Sequence, residues 1–475
     1  MNETLPVRPD PRRNILLVTV LINAFVVPFL VSSVNVGLPV IGSGLHIAAS
    51  RLGWIISVYL ISLLLVLVPF GRLADFTGPG RVFFAGGVIY TVGSLLCGFA
   101  FDFWSLLAFR VVQAAGAGMQ LATGNALLVS SFPASERGKV LGLNVAVVYA
   151  GLAAGPFLGG WIVHILSWQA LFFLNVPLGL TVSLLSFSFI NMGARGPEDI
   201  RPAGFDLKGT VFYAIAVICL GLGLPIIIHP AGILLFCAGA AFFILLLRAP
   251  PGRAPAVIDL SLFRENRTFA FSSFAALINY GATYSLGFLL NLYLQYVKGL
   301  PPGHAGLVLV IQPVIQAVIA PVSGRLSDRH EPRLLATAGM ALTALGLALL
   351  IGLTPSTPMS LIIGVMVILG IGFGLFSAPN TNAIMGSVTR NHLGSASALV
   401  STMRLAGQLF SMAILILISS ILMAGKPVIP ENFPAFMASL RISFIIFAFL
   451  CCVGIYFSSA RGVLHAPASG PGNPE

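Results

Sequence analysis

Apolar runs of membrane-spanning length recur along almost the whole chain of 475 residues. A helix needs about 20 mostly apolar residues to cross the hydrocarbon core of a bilayer. Only 8% of the residues are charged and 57% are hydrophobic, whereas about a quarter of the residues of a soluble protein are charged. The runs are too long and continuous for the alternating strands of a membrane barrel. The sequence therefore predicts an all-α polytopic membrane protein embedded in a lipid bilayer.

Fourteen transmembrane helices can be placed on these runs. The predicted spans are 15–41, 52–70, 82–101, 104–131, 140–164, 169–192, 207–227, 230–247, 268–297, 303–324, 334–354, 358–386, 394–424 and 436–458. With this count, most Lys and Arg residues fall in the loops and tails on one side of the membrane, the side that holds both termini. Because positive charge marks cytoplasmic loops, both termini are predicted to be cytoplasmic.

Two Pro- and Gly-rich polar segments divide the chain into units. The predicted organisation is a cytoplasmic tail (1–14), a six-helix bundle (15–192), a linker (193–206), an inserted two-helix pair (207–247), a cytoplasmic linker (248–267), a second six-helix bundle (268–458) and a disordered cytoplasmic tail (459–475). A turn rich in Gly, Arg and Asp occurs at Gly71–Arg81 and again at Gly324–Arg333. The repetition indicates two related halves.

The fifth predicted span contains a cluster of small residues and a proline. Its members are Gly151, Gly155, Pro156, Gly159 and Gly160. Small residues at this spacing let helices approach closely, and the proline frees a carbonyl and permits a kink. A helix that bends at a bundle interface is the favoured interpretation, and a simple packing seam is the alternative.

Two arginines, Arg110 and Arg404, lie inside predicted spans, whereas every Asp, Glu and His falls in a loop, a tail or near a span end. A charge within the membrane is costly, so it normally faces the bundle interior. Arg110 could bond helix carbonyls and Gln113, or take part in proton coupling or substrate contact. With no carboxylate nearby, the two arginines are predicted to favour neutral or anionic substrates over cations.

These motifs together resemble those of the fourteen-helix drug:proton antiporters of the major facilitator superfamily. Gly71–Arg81 is similar to the cytoplasmic turn signature of that superfamily, and Gly151–Gly160 matches its antiporter signature G-x-x-x-G-P-x-x-G-G. Arg110–Gly116 resembles the fourth-helix motif, with Ala114 where glycine is usual. Three further matching stretches are Ser167–Gly179, Phe205–Gly209 and Tyr293–Gly299.

The resemblance implies two bundles that rock about a central cavity and gradient-driven export of hydrophobic compounds from a prokaryotic cell across its plasma membrane. The chain departs from the family at one position, because Leu30 stands where members commonly carry a first-helix aspartate. The coupling ion is therefore open: a proton or another ion gradient.

Two sets of residues are predicted to serve such a cycle. The cytoplasmic gate comprises Gly71, Arg72, Asp75, Gly78, Arg81, Gly324, Arg325, Asp328 and Arg333. Each gate aspartate could cap a helix start or pair with an arginine; the alternative is a turn that only fixes topology. The candidate substrate-cavity residues are Asn35, Gln120, Asn125, Tyr280, Asn291, Gln312 and Gln316, with Asn23 and Asn144 as further candidates. The alternative for each is an interhelical hydrogen bond.

Other functions find little support in the sequence. The chain has no G-x-x-x-x-G-K-[ST] phosphate loop, no G-x-S-x-G elbow and no H-E-x-x-H pair, so we expect no enzyme activity, cofactor or metal. The basic residues form no stripe, so nucleic acid is not an expected partner. The leading hypothesis is a monomeric secondary transporter that exports small molecules by proton exchange. Its rivals are an exporter or facilitator of an endogenous anionic metabolite and a non-transporting sensor or scaffold.

Overall fold

The computed structural model describes residues 11–190, 206–248, 261–327, 329–388, 393–423 and 426–462. Within them the chain is helical, with no strand. The α-helices are α1 (Pro11–Gly44), α2 (Ala49–Thr77), α3 (Pro79–Gly98), α4 (Phe103–Ser131), α5 (Ala134–Ile165), α6 (Trp168–Phe173), α7 (Asn175–Phe187), α8 (Leu207–Gly223), α9 (Pro230–Arg248), α10 (Ser261–Glu265), α11 (Arg267–Thr283), α12 (Leu286–Leu292), α13 (Pro302–Leu309), α14 (Ile311–Ser327), α15 (Pro332–Leu350), α16 (Met359–Gly386), α17 (Leu393–Met423) and α18 (Phe433–Ser459). A π-helical turn, Tyr293–Val297, follows α12, and 3₁₀ turns lie at Leu224–Ile226 and Pro430–Asn432.

Twelve helices in the described ranges are long and apolar enough to cross a membrane. The two other predicted spans lack this property for different reasons. The helix Phe103–Ser131 is long, but it carries Arg110, Gln113, Gln120 and Asn125. The predicted span 268–297 is divided at Tyr284 and Ser285 between α11 and α12 and ends in the π-helical turn.

The predicted Gly71–Arg81 turn is almost entirely helical, which corrects the interpretation from sequence. Helix α2 continues to Thr77, and Pro79 begins α3. Gly78 alone changes the chain direction: its φ of 92° lies in the region that favours glycine, and its N–H donates to the carbonyl of Ala74. Gly324, Arg325 and Ser327 are likewise the last turn of α14. Asp328 lies outside the described residues.

The helices form two groups, each packed chiefly on itself. In the N-terminal group (α1–α7), α1 packs on α5 and α3 packs on α4. In the C-terminal group (α11–α18), α16 packs on α14 and α15, and α11 packs on α17 and α18. Helices α8 and α9 pack on each other, and α8 leans on α2, where the Tyr213 hydroxyl donates to the Leu64 carbonyl at 2.7 Å.

Both groups present the same ends to one side of the molecule, here called the terminal side. On it Arg13 near the start of α1 pairs with Glu136 of α5 at 2.5 Å, and the Thr268 hydroxyl donates to the carbonyl of Arg461 at 3.0 Å. On the opposite side the two groups touch each other directly. There a Cβ on Gly53 would lie 2.8 Å from Ile416, and one on Gly160 would lie 2.6 Å from the carbonyl oxygen of Pro302.

The beginning of the predicted disordered tail 459–475 is ordered, contrary to expectation. Arg461 is only 1% exposed and donates to Ser272, Asn380, Ser458 and the carbonyl of Pro332 at 2.8 to 3.3 Å. Burial lowers the pKa of this guanidinium to about 10. Arg461 thus ties α11, α15, α16 and α18 together; residues 463–475 lie outside the described range.

Candidate substrate cavity between the two helix groups

A cavity of about 410 Å³ lies between the N-terminal and C-terminal groups. Its volume is within the range typical of small-molecule sites. Aliphatic side chains from both groups make up much of its wall, among them Val27, Leu63 and Leu290. The polar members of the wall are Asn23, Ser32, Asn35, Tyr59, Gln120, Asn125, Asn144, Tyr149, Tyr280, Thr283, Tyr284, Gln312, Gln316, Ser401, Arg404 and Gln408.

Six of the seven predicted cavity residues therefore lie in this wall: Asn35, Gln120, Asn125, Tyr280, Gln312 and Gln316. Asn291 does not. Its side chain is fully buried and donates instead to the backbone carbonyls of Asn35 and Val36, at 2.7 and 3.3 Å. Asn291 is thus an interhelical hydrogen-bonding residue, the alternative interpretation of the sequence.

Arg404 is the only Lys or Arg among the described residues of the cavity wall, and no Asp, Glu or His belongs to that wall. Its guanidinium carbon lies 5.5 Å from the centre of the Tyr280 ring, within the distance of a cation–π contact. Gln408, one helical turn further along α17, also faces the cavity. The cavity therefore has a localised positive charge on the side of the C-terminal group.

Amide side chains in the wall are paired with each other. Asn144 donates to Asn125 at 3.1 Å, which joins α5 to α4, and Gln312 donates to Gln316 at 3.2 Å along α14. An amide pair keeps further donors and acceptors free, since each amide offers two donors and an acceptor with two lone pairs. These pairs can therefore bind a polar ligand group without leaving their own partner.

Arg110 is not in the cavity wall, and of its two predicted roles the structure shows the first, the bond to Gln113. Its side chain is 1% exposed, and it donates to Gln113 at 2.6 Å. Gln113 in turn donates to Ser94 of α3 at 2.8 Å. The guanidinium lies 4.1 Å from the centre of the Tyr59 ring, and Tyr59 does contribute to the wall. Arg110 thus stands one layer behind the cavity and holds α2, α3 and α4 together.

The glycines of α5 pack closely against α1. Ser32 and Ser33 of α1 donate to the carbonyls of Leu152 and Gly155, both at 3.1 Å. A Cβ on Gly151 would lie 2.5 Å from the carbonyl oxygen of Phe25, and Cβ atoms on Gly155 and Gly159 would collide with the same two serines. Pro156 lies within an uninterrupted helix. These residues thus form a close packing seam between α1 and α5, and Gly160 extends it to Pro302 of the other group; a bend at this seam stays a prediction.

The described residues include all of the predicted gate except Asp328. Asp75 lies 3.9 Å from Arg72, one turn earlier on α2, so this ion pair lies within one helix. In the second copy, Gly324 accepts hydrogen bonds at its carbonyl from Ser327 at 2.7 Å and from Asn382 at 3.4 Å. Arg81 and Arg325 are exposed, and Arg333 is partly exposed.

Tyrosines were missed by the sequence analysis, which named only Tyr280. Tyr59, Tyr149 and Tyr284 also contribute to the wall. Tyr149 on α5 hydrogen-bonds to Ser377 on α16 at 3.2 Å, a direct link between the two groups. Tyr280 and Tyr284 share a helical face at a spacing of four residues, a signal present in the sequence.

Comparison with known proteins agrees with this architecture. The family model of the Major Facilitator Superfamily matches the chain twice, over residues 20–271 and 272–474. The riboflavin transporter RibZ of Clostridioides difficile is 31% identical over 392 residues, which cover 82% of this chain and 84% of that protein. The cephamycin export protein CmcT of Amycolatopsis lactamdurans is 31% identical over 422 residues, covering 85% and 84%.

A solved structure has the same fold. It is a bacterial homologue of the human lysosomal transporter Spinster in an inward-facing and unoccupied conformation, with a TM-score of 0.65, 16% identity and coverage of 96% of this chain and 98% of that chain. The chain described here belongs to the Major Facilitator Superfamily and is a multi-pass membrane protein. It is a secondary transporter and not an enzyme.

Proposed function

We propose that this protein exports small hydrophobic organic compounds in exchange for protons by alternating access. The cavity between the two helix groups carries this proposal, because it has the size of a drug-like ligand and a wall of aliphatic, aromatic and amide groups. The two groups touch each other on the opposite side of the cavity, which suits a chamber that opens to one side at a time. The name of the relative CmcT, an export protein, favours the outward direction.

The proposed topology has fourteen helices. In this arrangement Phe103–Ser131 and Arg267–Val297 join the twelve apolar spans, since each lies between two of them. Two six-helix bundles, 15–192 and 268–458, then flank the inserted pair 207–247. Both termini are cytoplasmic, and the protein acts as a monomer in the plasma membrane of a prokaryote. The two separate matches to one family model support the two related halves.

The proposed roles of the sequence motifs follow from their places. Asp75, with Arg72 beside it, and the equivalent segment of α14 form the cytoplasmic gate. The α5 seam keeps α1 and α5 moving as one body, because its glycines leave no gap between the two helices. Arg110, held by Gln113, influences coupling through Tyr59, because the Arg110 guanidinium lies against the Tyr59 ring.

Arg404 favours a second candidate function, the export or facilitated movement of an anionic metabolite. Among the described residues of the wall, the charge of one guanidinium is not balanced by a carboxylate, so it attracts an anion and repels a cation. The second candidate needs no proton coupling, so its flux should occur without the pH change expected for the first.

Flux in proteoliposomes tests both candidates. Riboflavin and a cephamycin are suitable first probes because of the relatives RibZ and CmcT, followed by hits from a ligand panel screened by thermal shift. Flux accompanied by a substrate-dependent pH change supports proton exchange, and flux of an anion without pH change supports facilitation. Ligand binding without any flux would contradict both candidates and favour a sensor.

A further inference from the structure

The cavity is closed on the opposite side by a group of amide hydrogen bonds between the two helix groups. Asn291 on α12 donates to the carbonyl of Asn35 on α1 at 2.7 Å and to that of Val36 at 3.3 Å. Gln295, in the π-helical turn after α12, donates to the same Val36 carbonyl at 2.8 Å. Both donors belong to the C-terminal group and both acceptors to the N-terminal group.

The Asn35 carbonyl needs such a donor because of Pro39. In an α-helix the carbonyl of residue 35 accepts from the N–H of residue 39, but proline has no N–H. Pro39 lies inside α1, so the carbonyl of Asn35 lacks its usual partner within the helix. A buried carbonyl without a partner is costly, and the Asn291 amide supplies the missing hydrogen bond at 2.7 Å.

The two amides are held in place by each other. Gln295 donates to the side-chain oxygen of Asn291 at 2.7 Å, which fixes the orientation of Asn291 with its NH₂ group towards α1. The π-helical geometry of Tyr293–Val297 contains Gln295, and such turns often mark functional sites. Asn291 itself is fully buried, so water does not compete for these bonds.

We infer that Asn291, Gln295 and the proline-freed carbonyl of Asn35 form a latch that holds the opposite side of the cavity shut. The latch is the positioning element that selects the conformation seen here over the one open to the opposite side. Opening the opposite side would separate the two groups and break these bonds, so removing them should shift the population towards the open conformation. This inference rests on the proposed alternating-access function, but its test does not depend on any substrate.

Cysteine labelling from each face of the membrane tests the latch. Leu309 lines the cavity and is 8% exposed, so Leu309→Cys in a background without the five native cysteines reports access to the chamber. An impermeant maleimide is applied to right-side-out or inside-out vesicles. We expect Asn291→Leu to raise the labelling rate from the opposite side about fivefold, the ratio that corresponds to one buried hydrogen bond.

Three further variants make the test specific. Asn175→Leu is the matched control, because Asn175 is a fully buried amide that donates to Leu171 within its own group at 2.6 Å; its labelling should not change. Asn291→Gln retains an amide donor, so it should raise the labelling rate less than Asn291→Leu does. Pro39→Ala restores an N–H at position 39 that can donate to the Asn35 carbonyl within α1. In that background Asn291→Leu should therefore raise the labelling rate by less.

Folding is checked by size-exclusion chromatography and melting temperature. If Asn291→Leu and Gln295→Leu, both folded, label from the opposite side at the rate of the parent protein, the latch does not exist. Equal effects of Asn291→Leu with and without Pro39→Ala would refute the role of the proline. A labelling shift without any transport would leave the latch standing and count against the proposed function instead.

Discussion

Arg110 and Arg404 are the same residue type inside the same membrane protein, but Arg110 lies between helices behind the cavity wall, whereas Arg404 lies in that wall and faces the cavity. Arg110 is 1% exposed and bonds Gln113, which bonds Ser94. Arg404 faces the cavity beside Tyr280 and is partly exposed. A buried guanidinium bonded to neutral partners fixes helices, whereas one that faces an open chamber is available to a ligand.

A charged side chain within the membrane can therefore serve either stability, as Arg110 does, or ligand binding, as we propose for Arg404. Sequence alone treats the two arginines alike, because each lies within an apolar span. Their neighbours make the difference, and those neighbours come from other helices: Ser94 and Tyr59 for Arg110, and Tyr280 for Arg404.

The largest expected effect is on stability, from Arg110→Ala. The substitution leaves the Gln113 oxygen without its donor and a void beside Tyr59, so we expect a loss of about 3 kcal/mol in the free energy of unfolding in detergent. 1-Naphthoate and its neutral amide, 1-naphthamide, serve as a matched pair of anionic and neutral probes for the cavity. The ratio of their affinities should not change in Arg110→Ala. A stable Arg110→Ala protein with altered charge preference would contradict the placement of Arg110 behind the cavity wall.

A second test of packing between helices uses two glycines of helix α5. A Cβ on Gly155 would collide with Ser32, whereas one on Gly142 would meet nothing within 4 Å. Gly155→Ala should therefore destabilise the protein by about 2 kcal/mol, and Gly142→Ala should leave stability unchanged or raise it slightly. Thermal unfolding of both variants measures the difference. Equal melting temperatures would mean that the α1–α5 seam is loose enough to act as a hinge.

Arg404→Ala should change ligand preference and not stability. Loss of a charged hydrogen bond weakens binding of an anion about tenfold or more, so affinity for 1-naphthoate should fall while that for 1-naphthamide stays within about twofold. Arg404→Lys keeps the charge and should retain part of the preference. Unchanged naphthoate affinity in Arg404→Ala would show that the anion binds elsewhere or that the guanidinium serves only structure.

The smallest expected effect comes from Tyr280. Tyr280→Leu removes the ring beside Arg404, and a cation–π contact at a partly exposed site contributes about 0.5 to 1 kcal/mol. Naphthoate affinity should therefore change by about twofold to fivefold, whereas Tyr280→Phe should keep most of it. A larger loss in Tyr280→Phe than in Tyr280→Leu would indicate that the hydroxyl, and not the ring, supports the site.

The apolar runs were enough to predict an all-helical membrane fold, since hydrophobic length is a local property. The break between α11 and α12 was not predictable, because Tyr284 and Ser285 fit an apolar helix and the break depends on contacts such as that of Ser285 with Ser411 at 2.9 Å. Likewise, Asn291 and Gln316 have similar polarity, and only tertiary packing sends one to the latch and the other to the cavity. Gln295 lies in the family stretch Tyr293–Gly299, which indicates no role for it. Pro39 explains the hydrogen bond from Asn291 to the Asn35 carbonyl, but only the packing of α1 on α12 brings these residues together.

The anchoring of Arg461 has a practical consequence for anyone shortening this chain. Its four side-chain hydrogen bonds reach three other helices and Ser458, although it lies beyond the last apolar span. A stop codon placed directly after Ser459, where hydropathy would suggest trimming, removes Arg461 and with it the hydrogen bonds that connect four helices at the terminal side. One placed after Gly462 spares it, so expression vectors and reporter fusions should begin their foreign residues there.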